Sequence, residues 1–314
     1  MMPKSLLLLA IVSCLAPSGS GSLGSIAEFL NSGLAAQSSP TVALNVQPPA
    51  PEHAERILSA LEDLRVSHIR SSWWTWSDAR SWSWLPAFRR AGIEVLPLIY
   101  PADVAADAVG RSIATRYRAL FDAYGSFPYI QLGNEVDGDG HFGLTDGRDP
   151  YRQGQRWARQ LAVATELIRR FDRDVRIVTG GVAWNREGVQ DFVRGMVGVG
   201  GFDVLAIHTY GIHVYGEPLS RYQAVRAQGW AGPIWLTEWG VSRAEANFAG
   251  AEADGWQEEN WRRVLAEDDS RFGYDRLYGF QLTPDLHGWG LLSENWQPRP
   301  AYRWLRSWSR SGGG

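Results

Sequence analysis

Two glutamates stand at the ends of apolar runs of the sequence, Glu135 in IQLGNEVD and Glu238 in PIWLTEWG. Each run has the composition of a buried strand, and small or turn-forming residues follow each carboxylate. Burying a carboxylate beside apolar sequence is costly unless the protein uses it. Two such carboxylates at the ends of two strands suit a general acid and a nucleophile that act on one bond.

Donor side chains at the ends of two other apolar runs have a use beside a nucleophilic carboxylate. Arg70 lies near the end of the second run, and Tyr210 lies at the end of the sixth. Because donors to a carboxylate favour its charged form, both are predicted to hold Glu238 ionised and oriented. The alternatives are an ordinary barrel salt bridge for Arg70 and a satisfied core hydroxyl for Tyr210.

Two further polar residues complete the predicted site. Asn134 directly precedes Glu135 and is predicted to bind a sugar 2-hydroxyl group, to which hydrogen bonds strengthen in the transition state of glycoside cleavage. His208, in the sequence His-x-Tyr after the sixth run, would bridge the hydrogen bonds of the site. A satisfied core histidine is the alternative for His208.

The chain has 16 tryptophans, a high number for 314 residues. An indole is a flat apolar platform with one N–H donor, and the C–H faces of sugar rings suit such surfaces. Trp289, after the eighth apolar run, is predicted to stack on the sugar undergoing cleavage, and Trp74 and Trp184 are predicted to form further subsites. Trp82 and Trp84 are predicted to pack in the core, as is roughly half of the set.

The elements that would position these residues are eight apolar, β-rich runs in succession. Most are continuously hydrophobic rather than alternating, which is typical of strands in a parallel sheet covered on both faces. Helical patterns lie between them; the first, PEHAERILSALEDLR, begins with a proline and has apolar residues at helical spacing. The runs are 41–47, 68–74, 93–100, 129–137, 176–184, 202–211, 233–241 and 277–285, and the helical segments are 51–65, 78–91, 104–124, 150–170, 187–198, 218–228, 255–268 and 298–309.

Eight repeats of strand and helix predict an α/β fold, a single (β/α)8 TIM barrel, rather than two domains. In such a barrel the active site lies at the carboxyl ends of the strands, where all of the candidate residues fall. The segment after the first strand, LNVQPPAPEH, contains no glycine, so a dinucleotide-binding fold is disfavoured.

Charge and histidine placement argue against other classes of function. The net charge is −3 and the basic residues are spread along the helices, so no nucleic-acid partner is expected. Asp137 and Asp139 lie in the loop VDGDGHFG, which is not a complete calcium loop, and they are predicted to be solvated. The histidines are not spaced as a zinc site, and no metal or other cofactor is expected.

The layout resembles clan A of the glycoside hydrolases, the retaining "four-seven" barrels, over roughly residues 41–308. In that clan the acid/base Glu follows an Asn at the end of strand four and the nucleophile Glu ends strand seven, which implies these roles for Glu135 and Glu238. Arg70, His208, Tyr210 and Trp289 match further positions of the clan. The sequence TEWG and the chain length are similar to family 39, with family 5 as another possibility. The chain departs from many members in having Val136 where they have proline, a difference in the loop rather than in the chemistry.

The first residues have the pattern of an export signal. Lys4 precedes a short apolar stretch that is too short to span a bilayer, and a segment rich in Pro, Gly and Ser follows. The only cysteine, Cys14, follows Ile11-Val12-Ser13, as the lipidated cysteine does in bacterial lipoproteins. We therefore expect residues 1–24 to be signal and linker and residues 25–314 to be the catalytic domain. The expected location is the cell envelope, with ordinary secretion as the alternative.

The functional hypothesis from the sequence is a monomeric, retaining glycoside hydrolase that acts on an extracellular polysaccharide or oligosaccharide. Its first alternative is a non-catalytic carbohydrate-binding lipoprotein that keeps the barrel and the aromatic platforms. Its second alternative is a transglycosylase that uses the same residues.

Overall fold

Strands and helices alternate eight times along the residues that the computed structural model describes, which are 40–73, 78–102, 105–138, 149–184, 187–210, 217–244, 251–267, 273–285 and 287–312. The strands are β1 (Thr41–Asn45), β2 (His68–Trp73), β3 (Glu94–Ile99), β4 (Tyr129–Leu132), β5 (Arg176–Val178), β6 (Leu205–Tyr210), β7 (Ile234–Gly240) and β8 (Arg276–Gly279). The helices are α1 (Ala54–Leu64), α2 (Leu85–Arg90), α3 (Val109–Tyr124), α4 (Pro150–Arg169), α5 (Val189–Val199), α6 (Glu217–Ala227), α7 (Ala251–Arg262) and α8 (Pro300–Arg310).

The strands form one parallel sheet in the order β5-β4-β3-β2-β1-β8-β7-β6. Two parallel bridges, Val178 to Val204 and Val182 to Ile207, connect the segments of β5 and β6 and bring the two ends of the sheet together. The predicted (β/α)8 barrel is therefore confirmed. Each of the eight predicted helices is also present, although α2 begins seven residues later and α7 ends six residues earlier than the expected positions.

Two separate cores result from strands that are buried on both faces. The inner core fills the barrel with Ala43, Leu96, Val178, Val204, Ala206, Trp235 and Tyr278. The larger outer core lies between strands and helices, and it includes Trp82 and Trp84, as predicted. Among the described residues seven tryptophans are buried, which agrees with the expectation for about half of the 16: Trp73, Trp82, Trp84, Trp157, Trp235, Trp239 and Trp261.

The helices follow from local sequence signals. In α1 the buried residues Ile57, Leu61 and Leu64 recur at helical spacing, so one face packs on the barrel. In α4 the side chain of Asp149 accepts a hydrogen bond from the Arg152 N–H at 3.3 Å, and a proline occupies the first helical position.

Several strands end earlier than the sequence predicts. β4 ends at Leu132 rather than near residue 137, because Gly133 (φ 80°) and Glu135 (φ 46°) adopt left-handed backbone conformations that cannot continue a strand. β5 likewise ends at Val178 rather than at Trp184, whose φ is 62°. The candidate residues after these two strands therefore lie in the connecting segments at the carboxyl-terminal end of the sheet.

Parts of the sequence predictions fall outside the described residues. The proposed signal with Cys14, the subsite candidate Trp74, and Asp139 all lie there. Among the described residues, no helix has the length and apolar character needed to cross a membrane.

Candidate active site

The carboxyl ends of β1, β2, β3 and β7 surround a cavity of about 140 Å³. Glu238 and Arg70 line it together with Asn134 from the turn after β4. The remaining lining residues are Asn45, Val46, Gln47, Ser72, Leu98, Tyr100 and Phe280. The strand ends thus bring charged groups far apart in sequence into one small space, as barrel topology requires.

Glu238 is 6% exposed, and both of its carboxylate oxygens have donors. Oε1 accepts from Nη1 of Arg70 at 2.5 Å, and Oε2 accepts from the hydroxyl of Tyr210. Burial raises the pKa of Glu238, but the electrostatic effects of His208 and Arg70 and the hydrogen bonds from Tyr210 and Arg70 outweigh it, so the pKa is lowered overall. Arg70 and Tyr210, both expected beside Glu238, thus each donate to one of its carboxylate oxygens.

Arg70 is 3% exposed and donates to four acceptors. Besides Glu238 these are Oε1 of Gln131 at 2.5 Å, Oδ1 of Asn45 at 2.7 Å and Oδ1 of Asn134 at 2.6 Å. A buried guanidinium is tolerated only when its N–H groups are satisfied in this way. Arg70 therefore ties the carboxylate on β7 to polar groups from β1, β4 and the turn after β4.

Tyr210 links the carboxylate to an aromatic group. Its ring centroid lies 4.9 Å from that of Trp289 and 5.7 Å from that of Phe280, with edge-to-face geometry in both pairs. Burial and the neighbouring Glu238 raise the pKa of Tyr210 well above its usual value, so its hydroxyl remains a donor. Trp289 is partly exposed, and its ring packs against that of Tyr210, whose hydroxyl donates to Glu238.

Glu135 occupies a tight turn directly after β4, and its side chain is 37% exposed. Its carbonyl oxygen accepts from the Gly138 N–H at 2.9 Å, and the next residue, Val136, donates its N–H to the Gly181 carbonyl at 3.2 Å. A left-handed φ in a residue other than glycine costs free energy and persists only where the surroundings fix it. This turn places the Glu135 carboxyl close to His208 and Glu238, with one ligand atom from each of the three residues within 4.8 Å of the others.

His208 is fully buried between the two glutamates. Its Nδ1 lies 3.5 Å from Oε1 of Glu135 and 3.7 Å from Oε2 of Glu238, and neither ring nitrogen makes a hydrogen bond to the described residues. A Cβ atom on Gly181 would lie 1.9 Å from Nε2 of His208, so only glycine leaves room for the imidazole there.

One ligand atom each from Glu135, His208 and Glu238 lie within 4.8 Å of one another. By spacing alone such a triangle can hold a metal ion. Both oxygens of Glu238 already accept hydrogen bonds from Arg70 and Tyr210, and the Arg70 charge disfavours a second cation. One carboxylate oxygen of Glu135 and one of Glu238 thus lie within 4.8 Å of each other.

Solved structures with the same architecture are found by comparison. A family 39 glycoside hydrolase from the gut symbiont Bacteroides cellulosilyticus WH2 matches with a TM-score of 0.60 and 15% identity over 86% of this chain and 63% of its own. A GH39 β-xylosidase from Caulobacter crescentus matches with a TM-score of 0.60 and 15% identity over 87% and 71%. A GH128 (subgroup I) endo-β-1,3-glucanase from Amycolatopsis mediterranei matches with a TM-score of 0.57 and 18% identity over 85% and 99%.

The fold is the (β/α)8 barrel of the family 39 and family 128 glycoside hydrolases. The predicted resemblance to clan A barrels is confirmed at this level. This chain spans 63% of the length of the Bacteroides family 39 structure and nearly all of the family 128 structure. No protein-family model and no curated protein sequence matches the chain.

Several residues that the barrel brings to the site were not predicted from the sequence. Asn45 and Gln131 are acceptors for Arg70, while Tyr100 and Phe280 line the cavity. Asn45 and Gln131 had a readable signal, since each is a polar residue in a strand that is otherwise apolar. Burial raises the pKa of Tyr100, so its hydroxyl stays protonated beside the carboxylates.

One prediction about the loop after β4 was wrong. Asp137, expected to be solvated, is completely buried. Its Oδ1 accepts from the N–H of Ala183 at 2.7 Å and its Oδ2 accepts from the N–H of Trp184 at 3.1 Å, which compensates the burial of the carboxylate. Trp184, the predicted subsite platform, is partly buried beside this carboxylate.

Proposed function

We propose that this protein is a glycoside hydrolase that cleaves O-glycosidic bonds by double displacement with retention of configuration. The observation that carries the proposal is the pair Glu135 and Glu238, since one carboxylate oxygen of each residue lies within 4.8 Å of the other. Retaining glycosidases place their two carboxyls roughly 5 Å apart, whereas inverting enzymes need roughly 6.5–9.5 Å to admit a water molecule.

In the first step, Glu238 attacks the anomeric carbon while Glu135 gives a proton to the leaving oxygen. The lowered pKa of Glu238 keeps it ionised and ready to form the covalent bond. In the second step, Glu135, now a carboxylate, takes a proton from water, and the oxygen of that water displaces Glu238 from the sugar. No cofactor enters either step.

The surrounding side chains have separate roles in this scheme. Arg70 and Tyr210 fix the orientation of the nucleophile through one hydrogen bond to each carboxylate oxygen. Because Oδ1 of Asn134 accepts from Arg70, the amide NH2 group of Asn134 is the part that would donate to a sugar 2-hydroxyl. His208 lies between the two carboxyls and would form a hydrogen bond to either of them as the proton moves.

Aromatic side chains support a carbohydrate ligand. We propose that Trp289 stacks on the sugar undergoing cleavage and that Trp184 and Trp74 serve neighbouring subsites. Among the structural neighbours, the Amycolatopsis endo-β-1,3-glucanase is solved in complex with laminarihexaose and the Caulobacter enzyme is a β-xylosidase. Polysaccharides and oligosaccharides with β-linkages are therefore the first substrates to test.

A hydrolysis assay on a panel of β-glucans, xylans and their oligosaccharides tests this function. New reducing ends should appear with the wild-type protein, and Glu135→Ala and Glu238→Ala should each reduce the rate by at least ~10³-fold. Binding of a glycan without turnover, unchanged in Glu238→Gln, would instead indicate a carbohydrate-binding protein. Transfer of sugar to an added acceptor in preference to water would indicate a transglycosylase.

We also propose that the protein is exported and anchored by a lipid on Cys14. The order Ile11-Val12-Ser13-Cys14 after a short apolar stretch supports this location. In that case Cys14→Ser should move the protein from the membrane fraction to the soluble fraction. Unchanged fractionation of Cys14→Ser would show that a lipid on Cys14 does not anchor the protein.

A further inference from the structure

The turn that carries Glu135 is fastened to a second segment, residues 181–184 after β5. The Val136 N–H donates to the Gly181 carbonyl at 3.2 Å on one side of the turn. On the other side, the two oxygens of Asp137 accept from the N–H groups of Ala183 at 2.7 Å and Trp184 at 3.1 Å. Three hydrogen bonds thus hold the residues that directly follow Glu135.

The segment that receives Asp137 is itself held in place. Nη1 of Arg221 donates to the carbonyl of Ala183 at 3.3 Å and to the carbonyl of His208, and Nη2 pairs with Glu217 at 2.8 Å. The Ala183 peptide is therefore held at its N–H by Asp137 and at its carbonyl by Arg221. This network joins the turn of Glu135 to the end of β6, where His208 faces both catalytic carboxyls.

Keeping a carboxylate at this position is costly. Asp137 is 0% exposed, and burial raises its pKa although the N–H groups of Ala183 and Trp184 act in the opposite direction. Two residues of the network also have left-handed backbones, Glu135 with φ 46° and Trp184 with φ 62°. Strained backbone of this kind persists where surrounding contacts fix it, and it is concentrated at functional sites.

We propose that Asp137 is a positioning residue for the acid/base step, whose carboxylate fixes the Glu135 turn and Trp184 relative to the leaving-group oxygen. This inference rests on the proposed function. An error of about 1 Å in the position of a reacting group can cost ~10²-fold in rate, so a tether two residues from the acid has a large effect. Asp137 acts through Glu135 and does not touch the substrate.

Asp137→Asn is the direct test, because it keeps the shape and removes one acceptor. The amide NH2 group would then face a backbone N–H, and one hydrogen bond would be lost. Acid assistance matters for a poor leaving group and hardly at all for dinitrophenolate, which departs unprotonated. We therefore expect kcat/KM to fall by ~10–10²-fold for an alkyl glycoside and by less than ~3-fold for the matching 2,4-dinitrophenyl glycoside.

A matched control is Asp172→Asn. Asp172 is also a buried aspartate, 5% exposed, and it lies just before β5, at the opposite end of the barrel. It accepts hydrogen bonds from the hydroxyl of Tyr117 at 2.5 Å and from the hydroxyl of Ser126 at 2.9 Å. Its loss should lower stability and leave the ratio of the two kcat/KM values unchanged. Asp137→Ser, which replaces the carboxylate by one shorter hydroxyl and adds no NH2 group, should reproduce the selective loss.

Hydrogen exchange provides a readout that does not depend on activity. The amide of Ala183 or Trp184 that loses its acceptor should exchange at least ~10-fold faster in Asp137→Asn than in the wild type, and Asp172→Asn should leave both amides unchanged. An equal loss of kcat/KM for both glycosides, or unchanged exchange at these amides, would overturn the positioning role. If the wild type cleaves neither glycoside, the proposed function fails, while the exchange rates still decide whether the tether exists.

Discussion

Replacing Arg70 with methionine should destabilise the protein strongly, because Arg70 is the buried charge that compensates Glu238. The side chains of this pair are 3% and 8% exposed, so water cannot replace the lost partner. Removing one member of a buried ion pair costs about 3–5 kcal/mol. The three amide oxygens of Asn45, Gln131 and Asn134 also lose a donor, which places the expected loss at the upper end of this range.

A double-mutant cycle separates the charge from the packing. Glu238→Gln leaves Arg70 with its three amide acceptors, so we expect it to cost less than about 2 kcal/mol. In Arg70→Met/Glu238→Gln the unpaired carboxylate is gone, and the double variant should be more stable than Arg70→Met alone. The coupling free energy should therefore be about 2 kcal/mol or more.

Urea unfolding at pH 7 gives the free energies of the four proteins in the cycle, and thermal melts give a second estimate. A loss of 3–5 kcal/mol corresponds to a fall in Tm of roughly 6–12 °C for a domain of this size. A free energy of unfolding for Arg70→Met within about 1 kcal/mol of the wild-type value would contradict this expectation. Additive effects of the two substitutions would contradict it as well.

Three other perturbations test separate parts of the structure. The pKa of Glu238 is lowered in the folded state, so its ionisation contributes fully to stability at pH values above the usual pKa of a glutamate. This contribution is lost as the pH falls through the folded-state pKa. Between pH 7 and about pH 3, the free energy of unfolding in urea should therefore fall less for Glu238→Gln than for the wild type. Gly181→Ala should lower kcat/KM by at least ~10²-fold, since its Cβ would displace His208, and a rate near that of the wild type would contradict this packing. Arg276→Met, which removes the ion pair with Glu94 at the opposite end of the barrel, should cost about 1–3 kcal/mol in urea unfolding and change kcat/KM by less than ~2-fold; a large loss of activity would show that the two ends are coupled.

The barrel could be predicted from the sequence because its signals are local. Continuous apolar strands, helix starts marked by residues such as Pro150, and one carboxylate after each of two strands can all be read without tertiary information. Once eight strands are assigned, barrel topology brings their carboxyl ends together. The grouping of Arg70, Glu135 and Glu238 follows from that topology alone.

The details of the turn after β4 could not be predicted, because they depend on contacts distant in sequence. Asp137 lies in a Gly-rich stretch typical of solvent-exposed loops, yet its partners are backbone N–H groups about 46 residues away, at Ala183 and Trp184. The end of β4 was misplaced for a related reason. Gly133 permits a left-handed backbone, but the same conformation at Glu135 is imposed by the packing of the turn and has no local signal.

Azide rescue of Glu238→Ala is the most direct test of whether Glu238 forms a covalent bond to the sugar. The assay uses a dinitrophenyl glycoside of the sugar that the wild type cleaves, with products followed by ¹H NMR. We expect azide to restore turnover by Glu238→Ala and to yield a glycosyl azide of inverted anomeric configuration, while the wild type releases sugar with retained configuration. Inverted product from the wild type, or activity that survives Glu238→Ala without azide, would contradict the double-displacement mechanism.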